Sequence, residues 1–356
     1  MLRHVPPPKI WKVKVYMKLF LFIFGAWLIV YFLWKALTRY TDSIKFEINK
    51  YENVNYFLYN HSRQSSFAYN LLPETDYNRL INISFEFSII NFPCENVKLL
   101  LLILIHSSPT NFAKRKIIRD TWGKNDEDVK VLFLMGSASS QVVKENLQTE
   151  NSLHKDIIQG SFQDTYSNLT YKHMMALKYV VYHCPDTKYV LKTDDDVFVN
   201  RPLMKNFLIN DLSPFGAQKL LMCPVVHKAK PFRTYRSKWR VSFDEYQYNY
   251  YPTYCLGWSI LYSPDIIFDL YKEGQRSIYF WIDDVYITGI VADKINIINH
   301  IDIFALTLTT SEIRSIINFS HEFKPFLFGS ADMNGNDILS LWKYVISNPV
   351  PDSIRQ

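Results

Sequence analysis

Four short apolar runs, set between polar stretches with helical spacing, constrain this chain most. VKLLLLILIHSS (97–108) is almost wholly apolar; VKVLFLMG (129–136), KDIIQG (155–160) and KYVLK (188–192) follow. Short apolar runs without alternation read as strands buried on both faces. Between them, FAKRKIIRDTWG (112–123), with Thr110 or Asn111 as N-cap, QVVKENLQTENSL (141–153) and YSNLTYKHMMALKYVVYH (166–183) read as helices. Strands alternating with helices predict an α/β domain with a mostly parallel sheet covered on both sides. Such sheets bind ligands beyond the carboxyl ends of their strands. KYVLK delivers three consecutive carboxylates, Asp194, Asp195 and Asp196, at one such end.

The charge balance is uneven along the chain. Residues 1–40 carry seven Lys or Arg and no acid, which leaves 33 basic against 34 acidic residues elsewhere. The folded part is therefore near neutral and offers no basic footprint for nucleic acid. LFLFIFGAWLIVYFLW (19–34) has no charge over 16 residues. Such a helix is roughly 24 Å long, enough to span a thin bilayer with Lys18 and Lys35 snorkelling. Positive charge concentrated before it predicts a cytosolic tail (1–18), a signal anchor (19–34) and a lumenal remainder. Residues 35–95, rich in Asn, Tyr and Ser, read as a stem, and 96–348 as the folded domain. Asn60, Asn82, Asn168 and Asn318 each begin a glycan-acceptor triplet, in keeping with a lumenal site. Cys94, Cys184, Cys223 and Cys255 are an even set for disulfides, with three pairings open.

Two acidic groups could carry chemistry. On an extended segment residues i and i+2 share a side, so Asp194 and Asp196 should converge while Asp195 faces away. Paired carboxylate oxygens suit Mg²⁺ or Mn²⁺, and a cation there could hold a diphosphate. The bland alternative is a solvated acidic turn. In WIDDVYITG (281–289), Asp283 and Asp284 open a helical pattern; they could be a cap or a general base. From Trp239 to Trp258 lie eight aromatic residues in twenty, a surface for sugars or a packed tyrosine ladder. No GxGxxG or Walker-type loop is present.

HSSPTNFAKRKIIRDTWG, VLFLMG, FQDTYSNLTYK, CPDTKYVLKTDDDVFVN, KWRVSFDEYQYNYYPTYCLG and IDDVYITG occur in that order. Together they resemble the β-1,3-galactosyltransferase family, glycosyltransferase family 31, over roughly residues 97–295. The resemblance implies a GT-A-type, Rossmann-like nucleotide-sugar transferase domain behind a type II Golgi membrane anchor. It implies Mn²⁺ or another divalent cation bridging a UDP-sugar, with Asp196 as direct ligand and Asp194 supporting it. Asp195 would support the metal or reach the nucleoside. Asp284 becomes the base that deprotonates the acceptor, and Asp283 its orienting partner. Arg115 and Arg119 fall in the family's R-x-x-x-R pattern; they would meet phosphate, or else pair with acids near the sheet. Lys172 is a further phosphate candidate. Trp258, with Tyr254 and Gly257, lies in the implied sugar pocket; Trp258 replaces a residue that members often keep small. The carboxy-terminal His of many members is missing, which leaves His300, His321 or water to stand in. The implied reaction is transfer of galactose from UDP-Gal to a glycoprotein or glycolipid glycan in β-1,3 linkage. The same machine could use UDP-GlcNAc, and a catalytically silent lumenal chaperone or lectin-like relative is the alternative of another class.

Overall fold

The computed structural model describes residues 67–95, 97–295, 300–319 and 325–349. The anchor span at 19–34, the acceptor Asn60 and His321 lie outside these residues. Among the described residues no helix is long and apolar enough to cross a membrane.

The centre is an eight-stranded sheet. Its strands are β1 (Phe87–Ile89), β2 (Leu101–His106), β3 (Val129–Ser137), β4 (Ile157–Gln163), β5 (Tyr189–Asp194), β6 (Leu221–Cys223), β7 (Ser259–Tyr262) and β8 (His300–Asp302). They lie side by side in the order β8-β6-β7-β5-β2-β3-β4-β1. The four apolar runs form the parallel centre, β5-β2-β3-β4, as their composition requires. β7 runs antiparallel between β5 and β6, and β1 closes the opposite edge antiparallel to β4. All six residues of β2 are buried, so both faces of the sheet are covered.

Helices α1 (Phe112–Asp120), α2 (Gln141–His154), α3 (Leu169–His183), α4 (Pro264–Gly274) and α5 (Gly335–Ser347) surround the sheet. Leu102 and Leu104 of β2 share one core with Met174, Val181, Ile267 and Tyr271 from α3 and α4. Phe133 of β3 meets Arg119 of α1, whose guanidinium lies 4.7 Å from the ring centre. Two disulfides close the described cysteines: Cys94–Cys184 and Cys223–Cys255.

The stretch read as the end of a stem is part of the fold. Besides supplying β1, residues 67–95 bring Asp76 against α3 and α4. The fully buried Lys178 donates to the Asp76 and Tyr77 carbonyls at 2.5 and 2.9 Å. The Asp76 carboxylate accepts from Tyr182 at 2.8 Å and also from Tyr271. Burial lowers the Lys178 ammonium to about 8, opposed by the Asp76 charge. Composition concealed this docking because β1 is only three residues long.

Candidate active site

β5 ends at Asp194 and the chain then turns, which alters the expected geometry of the acidic triplet. Asp194 does lie on the side of its strand neighbour i−2, Lys192, whose ammonium it accepts at 2.8 Å. Beyond the strand the alternation lapses. Asp195 and Asp196, instead of facing apart, share Lys114 of α1, with Nζ 2.9 Å from each carboxylate. The expectation that Asp195 would turn away from Asp196 is thus corrected, while Asp194 lies near enough to Asp196 to feel its charge.

Asp195 is the most heavily engaged of the three. It accepts from Ser107 Oγ at 2.8 Å and Asn111 Nδ2 at 2.7 Å, as well as from Lys114. Its carboxylate ties the end of β5 to the loop after β2, with both acceptor positions of Oδ2 used and one of Oδ1. Asn111 caps no helical N–H with its side chain, whose Nδ2 is turned to Asp195.

Among the described residues no group of three or more His, Cys, Asp or Glu side chains could hold a metal ion. The oxygens present still fit a hard divalent cation. The Lys114 ammonium already bridges two of them, a monovalent stand-in for a larger charge. Mg²⁺-like ions commonly take one or two carboxylates and complete their shell with water and substrate phosphate. Asp196, with its side chain a quarter exposed, is the member of the triplet best placed to give up Lys114 for such an ion. His300 is not: its Nε2 bonds the Thr288 carbonyl at 2.6 Å.

The second acidic group opens the helix that contains Val285–Val291, as its pattern predicted. Asp284 accepts from its neighbour's backbone N–H, Val285, at 2.7 Å, and more weakly from Gly257 N–H at 3.3 Å. It is therefore partly a cap, yet its carboxyl is not an ordinary one. Burial, reinforced by the charge of Asp283, pushes it up to about 7. Asp283 goes the other way. Burial would raise it, but a 2.9 Å hydrogen bond from His173 and the charge of Lys192 hold it below the usual carboxylate range. His173, in α3, is fully buried and its imidazole is pushed toward the neutral form by that burial. A neutral ring facing a carboxylate must put its proton on Nδ1, leaving Nε2 to accept from Tyr262 O–H at 3.1 Å. Asp283 stays charged and Asp284 holds its proton more tightly, a division of labour typical of acid–base sites.

Gly257 and Lys192 bring the two acidic groups together. Pairing of β7 with β5 sets Ser259 opposite Thr193, and Thr193 Oγ1 donates to the Trp258 carbonyl at 2.8 Å. That register places Gly257 between the groups: its carbonyl accepts from Lys192, which also bonds Asp194, while its N–H faces Asp284. A Cβ on Gly257 would come within 3.3 Å of the Asp284 Cβ, so only glycine allows this approach without a shift. Trp258 beside it is half-buried, edge-on to Phe328 at 6.4 Å. Tyr254 is half-buried, its phenol raised to about 12 by burial and by the Asp284 charge.

The three basic candidates for phosphate are engaged elsewhere. Arg115 is fully buried, and its five N–H groups all go to Glu150, Ser107, Ser108 and Pro109. Arg119 makes a two-pronged pair with Asp156 at 2.7 and 2.9 Å and a third bond to Glu150. These arginines take the alternative reading, pairing with acids near the sheet. Lys172 is enclosed by the Ser107 carbonyl at 2.9 Å and Asp164 at 2.8 Å. All three are thus held by protein partners, Arg115 and Lys172 standing behind Ser107, which itself bonds Asp195.

Lys114, Lys192 and His173 are the site residues that sequence reading passed over. Lys192 had a usable signal, since it shares strand parity with Asp194. His173 had none, lying in a helix where every residue from Thr170 to Val181 is buried. Of the glycan acceptors, Asn82 and Asn318 are exposed. Asn168 is half-buried and its amide donates to the Gln163 carbonyl at 2.9 Å.

Sequence comparison gives the site its lineage. A family model described as Galactosyltransferase matches residues 113–302, from α1 to the end of β8. "Beta-1,3-galactosyltransferase 5" of Pan troglodytes is 34% identical over 212 residues, 57% of this chain and 69% of the relative. "Beta-1,3-galactosyltransferase 1" of Mus musculus is 35% identical over 221 residues, covering 60% and 66%. "Lactosylceramide 1,3-N-acetyl-beta-D-glucosaminyltransferase A" of Xenopus laevis is 31% identical over 223 residues, covering 59% and 58%. A crystal structure of the galactosyltransferase LgtC with donor and acceptor sugar analogues overlaps 71% of this chain and 99% of its own. With 11% identity and a TM-score of 0.34, that overlap carries no weight. The family model spans more than half of the 356 residues and includes both acidic groups, and on that match the chain belongs to the galactosyltransferase family.

Proposed function

We propose that the protein is an inverting, UDP-sugar-dependent β-1,3-hexosyltransferase of GT-A type that moves galactose from UDP-Gal to a glycan acceptor. One observation carries the reading: a carboxyl held near pH 7, Asp284, is linked through Gly257 and Lys192 to the acidic triplet that would face the donor. Inversion needs an acceptor oxygen on one face of the anomeric carbon and a departing diphosphate on the other. Asp284 takes the proton of the acceptor hydroxyl as its oxygen bonds to the anomeric carbon. The bond from that carbon to the diphosphate oxygen breaks, and UDP leaves with the electron pair. Asp283, kept ionised by His173, raises the proton affinity of Asp284 without competing for the proton. Asp196 and Asp194 would hold the donor's cation, in the place where the Lys114 ammonium now neutralises Asp196. A divalent ion bound there would supply charge neutralisation for the leaving diphosphate. Lys192 stays fixed and sets the spacing between the two halves of the site.

A UDP-GlcNAc donor is the second reading, supported by the similarity to the Xenopus laevis enzyme, with Trp258 reshaping the sugar pocket whichever donor is used. The chain works as a type II protein of the Golgi membrane, its catalytic domain lumenal. The test is UDP release by the full chain with Mn²⁺ from UDP-Gal, UDP-GlcNAc and UDP-GalNAc across neutral and acidic acceptors. Turnover with UDP-Gal that a chelator abolishes is expected. Selective turnover of UDP-GlcNAc would establish the second reading, and absence of UDP binding would overturn both.

A further inference from the structure

Residues 228–243 hold six Lys or Arg and no Asp or Glu. Arg233 builds the loop itself, donating to the carbonyls of Val241, Ser242, Tyr246 and Tyr248. The others have no such task. Lys228, Lys230, Arg236 and Lys238 are exposed, and neither they nor Arg240 forms an ion pair with a described residue. Glu245, at the end of the loop, is engaged by Ser242, both through its N–H at 2.7 Å and its hydroxyl at 2.8 Å.

Aromatic faces alternate with these cations and remain open. Tyr235 is 87% exposed and Trp239 41%. The Arg240 guanidinium lies 3.8 Å from the Tyr235 ring centre, and the Lys238 ammonium 4.3 Å from that of Trp239. The inner edge of the loop reaches the acid pair. Lys238 lies 5.7 Å from the Tyr166 ring, and Tyr166 sits 6.1 Å from Trp281, two residues before Asp283.

We propose that residues 228–243 form an acceptor platform selecting glycans that carry a negative charge, a carboxylate or a sulfate, close to the hydroxyl that is glycosylated. The platform rests on the transferase reading and narrows its acceptor. Flat aromatic faces accept the C–H faces of sugar rings, and of the cations beside them Lys228, Lys230, Arg236 and Lys238 form no ion pair with a described residue, while Arg240 lies near Glu245. Placing an anion among them relieves their mutual repulsion, whereas a neutral sugar leaves it in place. A sugar stacked on Trp239 would project along Tyr166 toward Asp284. Carboxylate and sulfate share this chemistry, and the experiment separates them.

The test is isothermal titration of the full chain with three matched trisaccharides: neutral, with one terminal uronic acid, and with one sulfate. Exposed charge pairs are individually weak, so two acting together should make the anionic sugars bind about fivefold tighter than the neutral one. Raising the salt to about 1 M, where the Debye length is about 3 Å, should erase the difference. The double variant Arg236→Glu, Lys238→Glu should reverse the preference, with UDP affinity as a check on folding. Whichever anionic sugar binds tighter identifies the charge. Equal binding of all three by the native chain would overturn the proposal, as would an acidic peptide that binds as tightly as the sugars. Because binding is read without turnover, a chain that prefers anionic sugars but transfers nothing would refute the transferase reading alone.

Discussion

Replacing Asp284 by asparagine tests the chemistry and its energetic cost in one variant. The side chain keeps its shape, but the ionisable oxygen is gone. In the native protein this carboxyl is raised from 3.8 to about 7, first by burial and then by Asp283. The folded protein therefore holds a proton there that the unfolded chain has released, between roughly pH 4 and pH 7. Bound protons are fewer in the unfolded state, so stability falls as pH rises through that window. At about 1.4 kcal/mol per pH step the full penalty approaches about 4 kcal/mol above pH 7. Asparagine avoids it, while loss of one acceptor for the Val285 or Gly257 N–H returns about 1 kcal/mol. The net gain of about 2–3 kcal/mol should raise Tm by about 4–6 °C at pH 8 and leave it nearly unchanged at pH 4. Transfer should fall about 10²–10⁴-fold, the usual worth of a general base, with UDP affinity retained. Native turnover should climb with pH and level off above about 7. Differential scanning fluorimetry at the two pH values and UDP release across pH 5–9 measure all of this. Turnover within threefold of native, or an equal Tm shift at both pH values, would refute the assignment of Asp284 as base.

Asp196→Ala should remove Mn²⁺-dependent UDP binding, because Asp195 is held by Ser107 and Asn111 against the loop after β2; unchanged affinity in a titration with metal would move the cation elsewhere. Arg115→Met should destabilise the fold by about 3–5 kcal/mol, as breaking a buried ion pair does, yet leave UDP affinity unchanged. Urea unfolding alongside UDP titration checks this, and a specific loss of UDP affinity would restore Arg115 to the donor site.

The parallel centre of the sheet and the two acidic groups were legible because their signals are local: continuous apolar runs and adjacent charges. What escaped depends on contacts remote in sequence. Arg115 and Arg119 look like phosphate ligands until Glu150 and Asp156, from α2 and the loop after it, arrive beside them. His173 gains its meaning only when Asp283 packs against α3. The triplet misled for a different reason: strict alternation assumes a strand, and the strand stops at Asp194. The docking of residues 67–95 was hidden because three residues of edge strand leave too little pattern to read.

That docking also sets an order of events during synthesis. Cys94 cannot close until Cys184 has been made, 90 residues later in sequence. At 5–20 residues per second the delay is roughly 5–18 seconds of translation. β1 likewise waits for β4, and Asp76 for Lys178. The first part of the described chain to emerge is thus among the last to find its place. During that interval Cys94 is an unpaired thiol, and the growing domain carries the edge of β4 without its partner strand.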